Sequence, residues 1–385
     1  MTQPATFSAD ELEDGARAAT GLDDFGSDYY REGLERTLDG LNTEAQLNDL
    51  GRVIQHATIS NALIQRLKIV ETYKQHPEID DEVVAGPVVI LGLPRTGTTA
   101  LGQLIANDPQ FRSLRTWESQ APTPPPEKNT ERTDPRIAQA AEGIAMIDTM
   151  FPDFKTMMSS EAEAATECQD LMGMSFRTYH FDGVVRVPSY TSWLMDTDMR
   201  ETYTFHRQVL KLLQWRCKPN LWHLRTPVHM FAVDAFVEAY PDAKFLWSHR
   251  DPVKVLGSVC SLISYVRSWS SDRKDPHELG AEQLAWWAEG VRRAMEFRRT
   301  FGDDRFVDVS FADLQADSVA TVADAYEKLG LTFDAGARAK VQAWAAGHQP
   351  GHRGTHDYEL ADFGLTEDQV REAFADYLAT YDASA

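Results

Sequence analysis

The sequence predicts a three-layer α/β fold: a central parallel sheet flanked by helices, containing a phosphate-binding type of loop and preceded by a helical N-terminal extension. Three observations support this. The first 85 residues show helical spacing. An apolar run then leads into a glycine-rich loop and a helix, and further apolar runs alternate with helical segments. Strands that alternate with helices are typical of a parallel sheet covered on both faces.

The N-terminal extension is predicted to cover residues 1–85 and to pack on an α/β domain of residues 86–385. Leu47, Leu50 and Ile54 recur on one face of a helical segment. This pattern indicates an amphipathic helix whose apolar face packs against a core.

The first strand is predicted at residues 87–92. A continuous apolar run from Val88 to Leu91 suits a strand buried on both faces of a parallel sheet. A helix is expected after Gly97, ending near Asn107. Strand, glycine loop and helix in this order form the first half of a βαβ unit.

The later elements are predicted from apolar runs and helical spacing. Residues 134–175 are expected to be mostly helical, and residues 187–197 to break the helical pattern. The remaining predicted helices are 201–218, 229–240, 253–266, 281–301, 315–330 and 366–382, and the remaining strands are 220–225, 244–249 and 305–309.

The composition argues against several classes of function. The 385 residues carry a formal net charge of -21, whereas nucleic acids and anionic membranes are bound through Lys and Arg. Cys168, Cys217 and Cys260 include no CxxC pair and fit buried thiols in a reducing compartment. No stretch approaches the roughly 20 apolar residues of a membrane helix, and the N-terminus lacks a signal-peptide pattern. We therefore expect a soluble, cytoplasmic protein that binds no nucleic acid.

The loop after the first strand, GLPRTGTT, has the glycine spacing of a nucleotide phosphate loop but lacks its lysine. The amides of Gly97, Thr98 and Thr99 are expected to face an anion from a helix N-terminus, where the helix dipole favours negative charge. The hydroxyls of Thr96, Thr98 and Thr99 add donors, and Arg95 adds a forked cation. An ordinary strand-to-helix turn with a threonine cap is the alternative.

A second candidate lies in FLWSHRDPVKVLGSVCSL. Arg250 comes directly after a predicted strand, and Ser258 follows eight residues later, about two helical turns along. This spacing allows both side chains to contact one phosphate. The alternative is a surface arginine at a helix start and a serine on an exposed face.

Together these two segments resemble the sulfotransferase family, which uses the sulfate donor 3′-phosphoadenosine 5′-phosphosulfate (PAPS). PRTGTT is similar to the family's loop for the 5′-phosphosulfate. PDAKFLWSHRDPVKVLGSVCSL is similar to its 3′-phosphate motif, with Arg250 and Ser258 at the matching positions. NLWHLRTPVH and HDYELADFGLTEDQVREAFADYL resemble segments of bacterial members. The resemblance covers about residues 86–381.

The resemblance implies transfer of a sulfuryl group from PAPS to a hydroxyl of a small-molecule or lipid acceptor, with no metal. It explains the absent lysine, because a phosphosulfate has no γ-phosphate. Arg95 is expected to stabilise the charge that develops on the leaving phosphate. A helical insertion around residues 120–218 is expected to cover the acceptor. The residues implied in PAPS binding are Arg95, Thr96, Gly97, Thr98, Thr99, Arg250 and Ser258.

The transfer also requires a base to take the proton of the acceptor hydroxyl. Glu118 follows the first helix of the domain, where several bacterial members of the family have a catalytic glutamate. His229 follows the strand after which cytosolic members have a catalytic histidine, although Pro227 occupies the matching position. We expect Glu118 in preference to His229. Arg225 stands where lysine is usual and keeps a cation near the transferred group.

The C-terminal segment GHQPGHRGTHDY contains Arg353 and Gly354. The resemblance implies that a basic, glycine-containing loop closes the donor site, so both residues are predicted to contact the 3′-phosphate. His348, His352 and His356 recur every four residues. The proline and glycines among them oppose a helix that presents all three to a metal, so no metal site is predicted.

Two further clusters come before the second predicted strand. An apolar cluster is predicted to be either core or part of the acceptor site; it comprises Phe151, Phe154, Met157, Met158, Tyr190, Trp193 and Met195. The acidic run of Glu161, Glu163, Glu167 and Asp170 is interpreted as a solvated helix face.

Two alternatives to a sulfotransferase remain at this level. A kinase or NTPase with a phosphate loop would require the missing lysine. A non-catalytic protein that kept the donor fold would bind PAPS without transferring its sulfuryl group. The sequence allows a homo-oligomer and does not identify the acceptor.

Overall fold

The computed structural model describes residues 6–158, 160–217, 221–348 and 358–381. Its centre is a five-stranded parallel sheet with the strand order β2-β3-β1-β4-β5. The strands are β1 Val88–Gly92, β2 Phe111–Ser113, β3 Leu221–Arg225, β4 Lys244–His249 and β5 Phe306–Ser310.

Helices surround the sheet and fill most of the connections. They are α1 Ala9–Thr20, α2 Tyr29–Thr43, α3 Asp49–Gln75, α4 Thr98–Ala106, α5 Thr116–Gln120, α6 Pro135–Met150, α7 Phe154–Met157, α8 Gln169–Gly173, α9 His180–Val184, α10 Pro188–Met195, α11 Arg200–Gln214, α12 Val233–Ala239, α13 Pro252–Ser270, α14 Pro276–Phe301, α15 Phe311–Ala316, α16 Ser318–Leu329, α17 Ala335–Gly347, α18 Glu367–Ala373 and α19 Ala375–Thr380. Short 3₁₀ helices occupy Pro77–Asp81, Pro227–Phe231 and Leu360–Phe363.

The alternation of side chains along β1 produces the three layers. Val89 and Leu91 belong to one buried cluster, and Val88 and Ile90 belong to another, because successive residues of a strand point to opposite faces. The first cluster also contains apolar residues of α1, α2 and α3, so the N-terminal helices share a core with the sheet. The predicted three-layer fold is confirmed.

The register of the sheet places several predicted site residues at one edge. Ile90 of β1 pairs with Arg225 of β3, and Gly92 pairs with Ser248 of β4. β1 is the central strand. The connection from β1 leads to β2 on one side of it, whereas the connection from β3 leads to β4 on the other side. In parallel sheets, ligands bind at the carboxyl ends of the strands where the strand order changes direction.

Some elements differ from the predictions. Within residues 187–197, predicted to break the helical pattern, Pro188–Met195 form helix α10, because Pro188 occupies the first helical turn and Tyr190 is fully buried. β2 and α17 were not predicted; β2 has only three residues and depends on its pairing with β3. Within residues 134–175, the segment between α7 and α8 is irregular where the structure describes it. Among the described helices, none combines the length and apolar character needed to cross a bilayer.

Candidate active site

The glycine loop between β1 and α4 has positive φ angles at two glycines. Gly92 has φ 138° and Gly97 has φ 86°. A Cβ atom on Gly92 would lie 2.6 Å from the carbonyl oxygen of Ser248, and one on Gly97 would lie 3.0 Å from side-chain carbons of Leu314 and Phe311. Gly97 caps α4 without a side-chain hydrogen bond. The first amides of α4 therefore form a backbone cradle that suits an anion.

Arg95 lies inside this loop and links three parts of the chain. Its φ of 67° is in the left-handed region, which is strained for a residue with a side chain. Its guanidinium donates from Nε to the hydroxyl of Ser258 at 3.0 Å and from Nη1 to the carbonyl oxygen of Met157 at 3.0 Å. The fold thus joins the glycine loop to α13, where the sequence predicts the second phosphate contact.

Arg250 follows β4 directly and points back at the glycine loop. Its Nη1 donates to the carbonyl oxygen of Arg95 at 2.7 Å, and its guanidinium lies 4.2 Å from the ring centroid of Phe311. Its buried Nε has no hydrogen-bond partner among the described residues. Burial lowers the pKa of Arg250, although an arginine stays protonated at neutral pH. A half-buried cationic side chain with an unused N–H fits a phosphate ligand.

Arg225 and Glu167 form a second polar group at the start of α4. Nη1 of Arg225 donates to the hydroxyl of Thr99 at 3.4 Å and to Glu167 at 3.3 Å. The hydroxyl of Thr226 donates to the other carboxylate oxygen of Glu167 at 3.1 Å. A Cβ on Gly102 would lie 2.8 Å from the arginine side chain, so this glycine lets Arg225 run along α4.

The environment of Glu118 does not suit the predicted role of base. Its side chain is fully buried and accepts hydrogen bonds from Arg112 at 2.5 Å and from Arg115 at 2.8 Å. Burial raises the pKa of Glu118, but the charges of Arg112 and Arg115 outweigh it and hold that pKa below its usual range. A general base works best with a pKa near the working pH. The prediction of a catalytic Glu118 therefore does not match its surroundings.

His229 is enclosed as well. It has no exposed surface, and its Nδ1 hydrogen-bonds the hydroxyl of Tyr203 at 2.9 Å. The rings of Phe236 and His206 lie 4.7 Å and 6.2 Å away. Burial, reinforced by His206, holds the pKa of His229 well below its usual value. His229 is thus a neutral side chain of the core, and its predicted role as a base does not fit this position.

Glu167 is the candidate base that the sequence did not reveal. Its side chain is 29% exposed, so an acceptor hydroxyl can reach it, unlike Glu118 and His229. It lies in an irregular segment with Glu161 and Glu163, and of the acidic run interpreted as a helix face only Asp170 belongs to a helix, α8. Residues 164–166 hydrogen-bond to the backbone of 114–116, and this pairing brings Glu167 beside Arg225. No local pattern in the sequence signals such a contact.

The remaining predicted residues have different positions. The hydroxyl of Thr96 is buried and donates to the carbonyl oxygen of Leu93 at 2.7 Å, so it stabilises the loop. Thr98 begins α4. Arg353 and Gly354 lie outside the described residues, as do His352 and His356. Within the described ranges, no group of three His, Cys, Asp or Glu side chains is arranged to hold a metal ion.

The predicted apolar cluster divides into two parts. Phe151 and Phe154 pack on Trp269 of α13, at centroid distances of 4.0 Å and 4.8 Å, close to the Met157 carbonyl that Arg95 contacts. In contrast, Tyr190 is fully buried and Trp193 donates to Glu32 on α2. The first part leads along the chain to Met157, whose carbonyl oxygen accepts from Arg95 of the glycine loop.

A parallel sheet, a glycine loop at a helix start and three converging side chains are the arrangement by which many α/β proteins bind phosphorylated ligands. Residues 87–335, well over half of the chain, match the sulfotransferase family. The chain belongs to this family and is a sulfotransferase, which confirms the predicted enzyme class.

Solved structures and characterised relatives agree with this assignment. The chain is similar to sulfotransferase STF1 from Mycobacterium tuberculosis, with 33% identity, a TM-score of 0.87 and coverage of 97% of this chain and 100% of that chain. It is also similar to sulfotransferase STF9 from Mycobacterium avium, with 31% identity, a TM-score of 0.90 and coverage of 99% and 98%. Omega-hydroxy-beta-dihydromenaquinone-9 sulfotransferase Stf3 of Mycobacterium bovis and Mycobacterium tuberculosis is 24% identical over 299 residues, which are 76% of this chain and 73% of the relative.

Proposed function

We propose that this sulfotransferase transfers a sulfuryl group from PAPS to a hydroxyl of a small-molecule or lipid acceptor. The observation that carries the proposal is the convergence of Arg95, Arg250 and Ser258 beside the N-terminus of α4. A 3′-phosphoadenosine donor presents two separate anionic groups, and this arrangement offers two neighbouring sets of donors. PAPS supplies the reactive sulfuryl group, and the protein supplies binding, charge stabilisation and a base.

The glycine loop forms the proposed site for the 5′-phosphosulfate. The amides of Gly97, Thr98 and Thr99 and the hydroxyls of Thr98 and Thr99 act as donors at the start of α4. Thr96 contributes through the backbone, because its hydroxyl is bound to Leu93. Arg95 stabilises the negative charge that grows on the leaving phosphate, as preorganised donors do in a site shielded from water.

Arg250 and Ser258 form the proposed site for the 3′-phosphate. The unused Nε of Arg250 and the hydroxyl of Ser258 are the donors that support this assignment. The described residue Tyr358 packs against α13 at Gly257, next to Ser258. Arg353 and Gly354 remain predicted contacts to the same phosphate.

Glu167 is the proposed general base. Its carboxylate is held by Arg225 and Thr226, and Arg225 also contacts Thr99, whose amide is one of those proposed to bind the donor. The acceptor hydroxyl gives its proton to Glu167 as its oxygen attacks sulfur in line with the leaving phosphate. Arg225 fixes the orientation of the carboxylate and adds positive charge near the transferred group.

The acceptor is proposed to be a hydroxylated apolar compound. Phe151 and Phe154 pack on Trp269 in the segment that leads to Met157, whose carbonyl oxygen accepts from Arg95, and ligand pockets are mostly apolar with a few polar groups. The relative Stf3 is named for a hydroxylated menaquinone, which is consistent with this class of acceptor.

Thermal unfolding in the presence of nucleotides tests the donor assignment. We expect adenosine 3′,5′-bisphosphate to raise the Tm of the protein and ATP with Mg²⁺ to have little effect, because the loop lacks the lysine that a triphosphate requires. Equal or better stabilisation by ATP would contradict the proposal. Incubation with radiolabelled PAPS and an extract of cell metabolites then identifies the acceptor. A protein that binds the bisphosphate but labels no compound would instead be a non-catalytic member of the family.

A further inference from the structure

The end of α6 and the turns that follow it expose large apolar side chains to solvent. Of the seven strongly exposed large apolar side chains among the described residues, four lie between positions 146 and 158. Met146 is 60% exposed, Ile147 36%, Met150 44% and Met158 41%. A concentration of this kind marks a binding surface, whereas scattered single apolar residues need no explanation.

These exposed side chains do not belong to the core-facing side of α6. The helix packs inward through Ile137, Ala140 and Ile144, which form a small cluster with Trp117. Met146 and Met150 are four residues apart and so share a face of the helix. Gly143 lies one turn before Met146, and a Cβ atom there would meet nothing within 4 Å. The helix thus has a second apolar face with open space beside it.

This second face continues along the chain to the candidate active site. After α6, Phe151 stacks on Trp269 with an interplanar angle of 9°, and Phe154 contacts the same ring edge to face. The carbonyl of Met157 accepts from Arg95 at 3.0 Å. We call Met146, Ile147, Met150, Phe151, Phe154 and Met158 the apolar strip. The strip runs in sequence from an exposed helix to Met158, the neighbour of Met157, whose carbonyl oxygen contacts the glycine loop.

We propose that the apolar strip holds the hydrocarbon tail of a lipid alcohol whose hydroxyl is the acceptor. The inference rests on the proposed function, because it extends the acceptor site outward from Glu167 and Arg95. Three of the four exposed side chains are methionines, whose flexible thioethers adapt to tails of different shape. A tail on the strip keeps its polar end at the glycine loop.

Two other occupants fit the strip less well. An anionic membrane surface attracts basic segments, but Lys155 pairs with Asp148 at 3.3 Å, and Glu142 and Asp153 add negative charge nearby. A second copy of the chain would need a larger patch, because stable interfaces use about 20–30 residues on each side. A single apolar tail matches the size of the strip.

A series of straight-chain alcohols tests the inference through activity. With radiolabelled PAPS, kcat/KM is measured for 1-hexanol, 1-octanol, 1-decanol and 1-dodecanol. Each methylene that leaves water is expected to raise kcat/KM by up to about fourfold, so the ratio of dodecanol to hexanol is expected to exceed about tenfold. Replacing Met146→Gln, Ile147→Gln and Met150→Gln together is expected to bring that ratio to within about threefold of one. Gln is nearly as good a helix former as Met, so α6 is retained.

Phe301→Gln is the matched control, because Phe301 is equally apolar and 66% exposed at the end of α14. The control is expected to keep the chain-length ratio of the wild-type protein. A wild-type ratio near one, or a triple variant that keeps the wild-type ratio, would overturn the inference.

Equilibrium dialysis with radiolabelled 1-dodecanol gives a readout that does not depend on transfer. The wild-type protein is expected to bind this alcohol at least about tenfold more tightly than the triple variant does. Stabilisation by adenosine 3′,5′-bisphosphate is measured on both proteins and is expected to be the same. If the bisphosphate does not stabilise the wild-type protein, the proposed function is contradicted. If both proteins bind dodecanol equally well, only the role of the apolar strip in binding the tail is contradicted.

Sedimentation velocity decides whether the strip is instead an interface between two copies. The wild-type protein and the triple variant are expected to have the same oligomeric state. If the wild-type protein is a dimer and the triple variant a monomer, the strip is a self-interface and the inference is wrong.

Discussion

The guanidinium of Arg95 donates from Nε to the hydroxyl of Ser258 at 3.0 Å, across 163 positions of sequence. Arg250 closes the group by donating to the carbonyl oxygen of Arg95 at 2.7 Å. The residues proposed for the two anionic ends of PAPS are therefore in direct contact. Binding at one end is expected to influence the other, because Ser258 contacts Arg95 and is also the proposed contact of the 3′-phosphate.

Ser258→Ala is expected to weaken the binding of adenosine 3′,5′-bisphosphate about ten- to a hundredfold. The reason is the loss of one hydrogen bond to a charged group, which contributes about 1.5–3 kcal/mol. Isothermal titration calorimetry measures the change in Kd. Ser264→Ala on the exposed side of α13 is the control and is expected to leave Kd unchanged. An unchanged Kd for Ser258→Ala would remove this residue from the donor site.

Glu167→Gln is expected to lower kcat by about a hundredfold or more, because general-base catalysis contributes about 10²–10⁴ to the rate. The Kd for adenosine 3′,5′-bisphosphate is expected to stay within about twofold. Initial rates with radiolabelled PAPS and titration of the bisphosphate give the two values. Glu163→Gln, in the same segment but paired with Arg132, is the control. A kcat within threefold of the wild-type value would contradict the assignment of the base.

Glu118→Gln is expected to lower the free energy of unfolding by about 3–5 kcal/mol, because it removes the carboxylate of a buried ion pair. Arg112 and Arg115 would then be buried without their anion. Urea unfolding at pH 7.5 measures the change. Glu163→Gln, which removes an exposed ion pair, is expected to lower the free energy of unfolding by less than about 1 kcal/mol. A large loss of kcat at unchanged stability would return Glu118 to the role of base.

The buried histidines are expected to make the protein sensitive to acid. Burial lowers the pKa of His206 to about 3, while in the unfolded chain it is about 6.5. Between these two pH values the unfolded state therefore binds more protons than the folded state does. The free energy of unfolding keeps its full value above about pH 6.5 and decreases as the pH falls below it. At pH 5.0, His206 is expected to lower the free energy of unfolding by about 2 kcal/mol.

His206→Gln tests this dependence because it keeps a group that can hydrogen-bond the hydroxyl of Tyr240 but does not titrate. Urea unfolding of both proteins at pH 7.5 and pH 5.0 gives the change in stability with pH. Between pH 7.5 and pH 5.0, the free energy of unfolding is expected to fall by about 2 kcal/mol less in the variant than in the wild-type protein. The same loss in both proteins would show that His206 does not contribute to the acid sensitivity.

The local pattern of the sequence was sufficient for the sheet and the glycine loop. β1, β3, β4 and β5 were predicted to within one residue at either end, because continuous apolar runs between turns are a strong strand signal. The family resemblance depended on the same segments. β2 was missed because Phe111, Arg112 and Ser113 have no strand pattern, and their strand exists only through pairing with β3.

Short-range spacing along the chain was enough to predict the fold, the family and the loop and motif residues. The choice between the two candidate carboxylates depends instead on contacts between distant parts of the chain. Glu118 and Glu167 are both acidic residues outside the regular strands, but one is enclosed between two arginines and the other is partly exposed beside Thr99. Whether a carboxylate can take a proton depends on its solvation and charged neighbours, and those neighbours come from distant parts of the chain.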